Sequence, residues 1–186
     1  MIEFIEEQHI YLVDGIITPS VSEILRFIFP DKYKAISPRI LANAAIFGTN
    51  IHNAIEAFEN DQEFALEPAE ILVFEKYMQV REERNIRPTK LEQLVSYENR
   101  YVGRLDMIAD VNYYRCLIDI KTTYKLDEEA LAWQLGLYKL AYNEPIEKCY
   151  CLWLPKKNPG KLVEITPKGK KEIDKILDEY EKAKSD

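Results

Sequence analysis

The segment Tyr101–Thr123, YVGRLDMIADVNYYRCLIDIKTT, constrains this chain more than any other. Both arms are rich in Val, Ile, Leu and Tyr and flank a polar centre, so the sequence predicts two strands joined by a short turn at Asp110–Asn112. Strand side chains alternate between faces, which puts Asp119 and Lys121 on one side of the second arm and Ile120 on the other. Pairing of the two arms then brings Asp106 beside them. Two carboxylates and an ammonium converge at one sheet edge.

Neighbouring carboxylates repel, and burial removes the hydration that keeps them ionised. A divalent cation supplies the compensating charge. Hard oxygen ligands suit Mg2+ or Mn2+, which retain several waters and accept phosphate oxygens. A lysine at such a centre can orient water and stabilise negative charge building on phosphorus. An acidic-x-Lys triplet is common in isolation. Its placement at the close of the apolar run CLIDIKTT, where a purely structural Asp is unusual, gives it weight.

The succession GRLD, a strand, DIKTT, and a helix carrying Gln134 and Tyr138 in WQLGLYKLAY resembles the RecB-type branch of the PD-(D/E)XK nuclease superfamily. The phrase YLVDGIITPSVSEIL is similar to the opening of phage-type exonucleases in that superfamily. The resemblance implies an α/β fold with a restriction-endonuclease-like core, a mixed central sheet flanked by helices. It also implies a metal held by His52, Asp106, Asp119 and the Ile120 carbonyl, with Lys121 as the catalytic amine. His52 follows Gly48 in FGTNIHNAIE, matching the family's G-x-x-x-H pattern, and an imidazole ligand favours Mn2+ over Mg2+. Glu92 matches a glutamate often carried on the preceding strand, with Glu98 as second choice. Gln134 and Tyr138 share a helix face, and the resemblance makes them contacts to DNA phosphate or to Lys121. Leu105 stands in place of the name-giving proline, which RecB-type members commonly lack.

At 186 residues the chain suits a single nuclease domain over 1–186, with an N-terminal hairpin and helix over about 1–30 packed on the core. No apolar run approaches a membrane span, and the acidic opening MIEFIEEQHIY is unlike a basic signal peptide, so an intracellular, cytoplasmic protein without membrane contact is expected. Cys116, Cys149 and Cys151 lack zinc or disulfide spacing and read as buried thiols; three cysteines cannot make the four-cysteine iron–sulfur cluster of some relatives. Net charge is −7, but residues 156–171 hold six lysines against Glu164, so a DNA-binding face would be a basic patch on an acidic chain.

Elsewhere the patterns are local. FIEE and HIYLV read as hairpin arms, with a further turn at Asp14-Gly15. Ser20-x-x-Glu23 is a capping box before VSEILRFIF. Ser37-Pro38 opens a helix with Ile40, Ala44, Ile51, Ile55 and Phe58 as its buried stripe, and Gly48 implies close approach of another element. Pro68 opens another helix with Ile71, Phe74, Tyr77 and Met78 on one face. Residues 86–90 read as a connector broken by Pro88, followed by the strand LEQLVSYE with Leu91, Gln93, Val95 and Tyr97 on one face. EKCYCLWL and 161–165 form a hairpin across KKNPG, and Thr166-Pro167 begins the last helix.

The expected activity is DNA exonuclease action in recombination or repair, with DNA and a recombination partner protein as partners. The alternatives are a structure-selective or restriction-type endonuclease, and a non-catalytic DNA-binding or partner-binding module.

Overall fold

The computed structural model describes residues 2–5 and 10–185. The expected arm residues Glu6, Glu7 and His9 lie outside the described residues. The flanking segments form not one hairpin but a three-stranded antiparallel sheet, β1 (Ile2–Ile5), β2 (Ile10–Val13) and β3 (Ile16–Thr18), in the order β1-β2-β3. The second turn holds Asp14 and Gly15 at positive φ, as the Asp-Gly pair allows. Helix α1 (Val21–Ile28) follows, and its capping box forms: Glu23 N donates to Ser20 Oγ at 3.1 Å and Ser20 N to Glu23 Oε2 at 3.0 Å.

The main sheet has five strands in the order β4-β5-β6-β7-β8: β4 (Ile86–Tyr97), β5 (Tyr101–Val111), β6 (Tyr114–Lys121), β7 (Lys148–Trp153) and β8 (Lys161–Glu164). Strands β4, β5 and β6 meander antiparallel; α4 (Glu128–Ala141) then carries the chain over to β7, which pairs parallel with β6. Helices α1, α4 and α5 (Lys170–Ser185) bury Ile24, Leu135 and Leu177 in one core cluster with Leu105 and Leu117. Helices α2 (Pro38–Glu59) and α3 (Pro68–Glu83) bury Ile51 and Tyr77 in another with Met107 and Ile118. This is the mixed sheet flanked by helices that the family resemblance implies. The small sheet packs Tyr11 and Val13 against Val102 and Leu94, and Val102 N donates to Pro19 O at 2.9 Å.

Several boundaries differ from the sequence expectation, each for a local reason. The β5–β6 turn is Asn112–Tyr113, both at positive φ, because Asp110 pairs with Arg115 and Val111 with Tyr114 to extend the ladder. An opposite-charge pair across strands favours that extension. Residues 86–90 are strand rather than connector: the register shifts between Pro88 and Lys90, so a bulge absorbs the proline. Helix α5 starts at Lys170 because Lys168 N donates to Ala132 O at 2.9 Å, which holds 168 against α4 outside helical geometry. A Cβ on Gly136 would lie 2.7 Å from Lys168 O, so that approach requires glycine.

In α2 the buried set is Phe47, Ile51, Ala54 and Ile55, while Ile40 and Ala44 of the first turns are exposed. In α3 the buried face is Val73, Tyr77 and Val80, displaced from the expected stripe; Ile71 is exposed. A Cβ on Gly48 would meet Thr122 Oγ1 at 3.6 Å, ordinary contact, so packing there does not demand glycine. The three cysteines are free and buried, and burial pushes the Cys116 and Cys149 thiols up to about 11.

Candidate active site

Strands β5 and β6 pair from Val111–Tyr114 as far as Met107–Ile118 and then part. In continued register Asp106 and Asp119 would oppose each other directly, an arrangement that like charges disfavour. Asp106 instead uses Oδ2 to accept the Ile120 amide at 2.6 Å, replacing the backbone acceptor that β5 no longer offers. The two acids thus lie side by side not at an edge strand, as expected, but inside the sheet where β5 and β6 fork, with one backbone carbonyl, Ile120 O, free of β5.

That carbonyl faces α2. His52 places Nε2 3.1 Å from Ile120 O, while its Nδ1 lies 3.5 Å from Glu92 Oε1 and 3.7 Å from Asp106 Oδ1. Ligand atoms of His52, Glu92 and Asp106 all fall within 4.8 Å of one another. On the other side of Asp106, Asp119 is 1% exposed and pairs through Oδ2 with Lys121 Nζ at 2.7 Å. Asp119 Oδ1 accepts no hydrogen bond from any described residue. A buried carboxylate oxygen without a partner is costly, and a divalent cation is the partner that its surroundings suit. The oxygen-rich donor set with one imidazole fits Mg2+ or Mn2+.

Glu92 reaches this cluster by an unusual backbone. Its φ is +46° in the middle of a strand, a left-handed conformation that costs a non-glycine residue about 1–2 kcal/mol. The kink also reverses the side-chain alternation: Leu91 packs with the α2–α3 cluster, whereas Val95 and Tyr97 pack with the α1–α4–α5 cluster. The expected common face of Leu91, Val95 and Tyr97 is therefore broken at the residue that turns its carboxylate towards His52. Strain of this kind concentrates at functional sites. Glu98, the second choice for this role, is exposed in the β4–β5 turn and takes no part in the cluster.

The electrostatics follow from the packing. Burial alone would lower the His52 pKa, but the Asp106 and Glu92 carboxylates outweigh it and raise the ring to about 9. In the metal-free protein an imidazolium thus neutralises the oxygens that a cation would take. Burial raises Asp119, opposed by Lys121 and reinforced by Asp106. For Lys121 desolvation works downward, and Asp119 and Asp106 more than offset it, so the amine stays protonated.

On α4, Tyr138 is buried beside the two acids; burial, then Asp106 and Asp119, hold its phenol protonated, and Gln134 hydrogen-bonds to it. A Cβ on Gly103 would lie 2.6 Å from Tyr138 Cε1 and 2.8 Å from Val21 Cγ2, so the glycine of GRLD makes room for that ring. The sequence-predicted residues His52, Glu92, Asp106, Asp119, Ile120, Lys121 and Tyr138 therefore converge, with Gln134 at the rim. Trp133 and Leu137 pack in the core. Tyr11 of β2 was not foreseen: its phenol feels the Glu92 carboxylate and in turn acts on Tyr138, a proximity that no sequence spacing reveals.

The basic run from 156 to 171 does not form one free patch. Lys168 is tied to Glu129 and Glu172, and Lys170 to Asp174 and Tyr97. Lys156, Lys157, Lys161 and Lys171 remain exposed, the first two in a loop whose carbonyls at Pro155, Lys156 and Asn158 are all taken by Lys76 Nζ.

A cluster of carboxylates with one imidazole and one lysine, set where two central strands of a five-stranded mixed sheet part, is a site of the kind that metal-dependent nucleases use. The chain belongs to the PD-(D/E)XK nuclease superfamily, whose family model matches residues 60–184. A solved structure described as the crystal structure of SSO0001 is similar at 18% identity and a TM-score of 0.49, over 87% of this chain and 73% of that one. No curated protein matches the sequence. Among the described residues no helix is long and apolar enough to cross a membrane.

Proposed function

We propose that the protein is a single-domain DNA exonuclease of the RecB-type, phage-like branch, acting with Mg2+ or Mn2+ in recombination or repair. The observation that carries the nuclease reading is the meeting of His52, Glu92 and Asp106 next to the buried, half-partnered Asp119 and its lysine. His52, Glu92, Asp106, Asp119 and the Ile120 carbonyl would hold the cation. When bound, it supplies positive charge that polarises a phosphodiester and favours ionisation of water.

The chain's own groups do the rest. Asp119 fixes the Lys121 ammonium at the edge of the cluster, where it can orient a water for in-line attack and stabilise charge on the phosphorus oxygens. Tyr138, kept as a phenol, can donate to a phosphate oxygen, and Gln134 fixes its hydroxyl. The exonuclease and repair assignments rest on the resemblance of YLVDGIITPSVSEIL to phage-type exonucleases.

Incubation with Mg2+ or Mn2+ and linear, covalently closed circular and single-stranded DNA tests the proposal. Linear DNA should be degraded from its ends while the closed circle persists; cutting of the circle would replace exonuclease by endonuclease. Asp119→Ala and Lys121→Ala should each remove cleavage by about 100-fold or more with the fold retained. Full activity in either purified variant would sink the site assignment.

A further inference from the structure

Beside the cluster, with Lys121 and Gln134 at one end, a groove of about 680 Å3 runs between α1, residues 29–37, the first turns of α2 and the loop 123–127 that leads into α4. Its lining is mainly apolar, and much of it is open: Tyr33 is 51% exposed, Ile40 61% and Tyr124 72%. Ile40 and Ala44 are those residues of the α2 stripe that the core leaves uncovered. Its volume falls within the roughly 300–1,000 Å3 range of ligand sites, and an exposed apolar patch of this kind calls for an occupant.

Charge identifies the occupant. The groove is lined by four cations, Arg26, Lys32, Lys121 and Lys125, against one carboxylate, Asp127, on a chain whose net charge is −7. Lys32 pairs with Asp127 across the groove at 2.8 Å and lies 5.8 Å from the Phe29 ring centroid and 5.7 Å from that of Tyr33. Among the described residues neither Arg26 nor Lys125 has a carboxylate partner. The occupant thus combines flat apolar faces with regularly placed negative charge. An unpaired nucleotide has both; a duplex stacks its base faces out of reach and presents phosphates alone, which wastes the apolar floor. An apolar peptide would leave Arg26 and Lys125 without partners.

We propose that this groove seats the unpaired nucleotides of a single strand, with bases against Tyr33 and Tyr124 and the backbone along Arg26, Lys125 and Lys121, so that the next phosphodiester reaches the carboxylate cluster. The direction of that lead rests on the nuclease reading; the binding itself does not. Fluorescence anisotropy in EDTA, with a labelled oligothymidylate and a labelled blunt duplex, measures binding without cleavage. The double variant Tyr33→Ala/Tyr124→Ala should weaken the single strand by roughly tenfold per ring and leave the duplex unchanged. Lys125→Glu should weaken it and reduce its salt dependence. Because both rings are exposed, unchanged circular dichroism and melting are expected and are checked in parallel. Unaltered oligothymidylate affinity in the double variant, or an equal loss on the duplex, would overturn the assignment. Cleavage assayed separately divides the failures: a protein that binds through the rings and cuts nothing loses the nuclease function only, and one that cuts DNA but binds it independently of the rings loses the groove only.

Discussion

In metal-free protein the imidazolium of His52 occupies the place of a cation among Asp106, Glu92 and the Ile120 carbonyl, so fold stability should depend on its proton. Its pKa rises from 6.5 unfolded to about 9 folded. A group raised in this way binds its proton more tightly in the native state; its stabilisation is complete below 6.5, declines between 6.5 and 9, and is gone above 9. The difference corresponds to roughly 3 kcal/mol, a large share of the stability of an ordinary domain. Urea unfolding in EDTA from pH 6 to 9.5, for the wild type and His52→Gln, measures it; subtracting the two curves cancels groups that titrate in both. The stability advantage of the wild type should shrink by about 3 kcal/mol across the window. A difference that stays flat, or grows with pH, would refute the placement of a charged ring against these carboxylates.

Two substitutions probe the supports of the site. Gly103→Ala drives a methyl into Tyr138 and Val21, and should cost about 1–3 kcal/mol, a fall of roughly 2–10 °C in melting temperature, together with a loss of cleavage as Tyr138 is displaced; an unchanged melting curve would contradict that contact. Glu92→Gly and Glu92→Ala lose the same carboxylate, but only glycine accepts φ +46° without cost, so the glycine variant should be the more stable by about 1 kcal/mol in chemical denaturation, and equal stability would mean that the backbone there is relaxed.

What the sequence disclosed and what it hid divide along physical lines. The β5–β6 pair, the Ser20 and Ser37 caps and the order of helices and strands were legible because alternation, capping residues and proline act locally. Asp106, Asp119 and Lys121 were legible because polar groups closing an apolar strand need a reason. The reversal of faces at Glu92 was not, since a left-handed glutamate leaves no compositional trace. Nor were the exposed first turns of α2 and the offset face of α3, because both helices are apolar on more than one side and tertiary contacts alone choose which is covered. The lysine run looked like a patch in one dimension, whereas Lys168 meets Glu129 of α4, an acid distant in sequence, and Lys170 pairs with Asp174 one turn further along α5. The groove combines residues from α1, α2 and α4 and has no linear signature.

If His52, Glu92, Asp106 and Asp119 hold one cation together, loss of either aspartate should abolish its binding. Calorimetric titration of Mn2+ into the wild type and into Asp106→Ala and Asp119→Ala at pH 8 tests it most directly. The wild type should bind stoichiometrically with release of a proton, since an imidazole that ligates the ion must first lose its own, and binding should fall beyond detection in both variants. Equal Mn2+ affinity in all three proteins would contradict it.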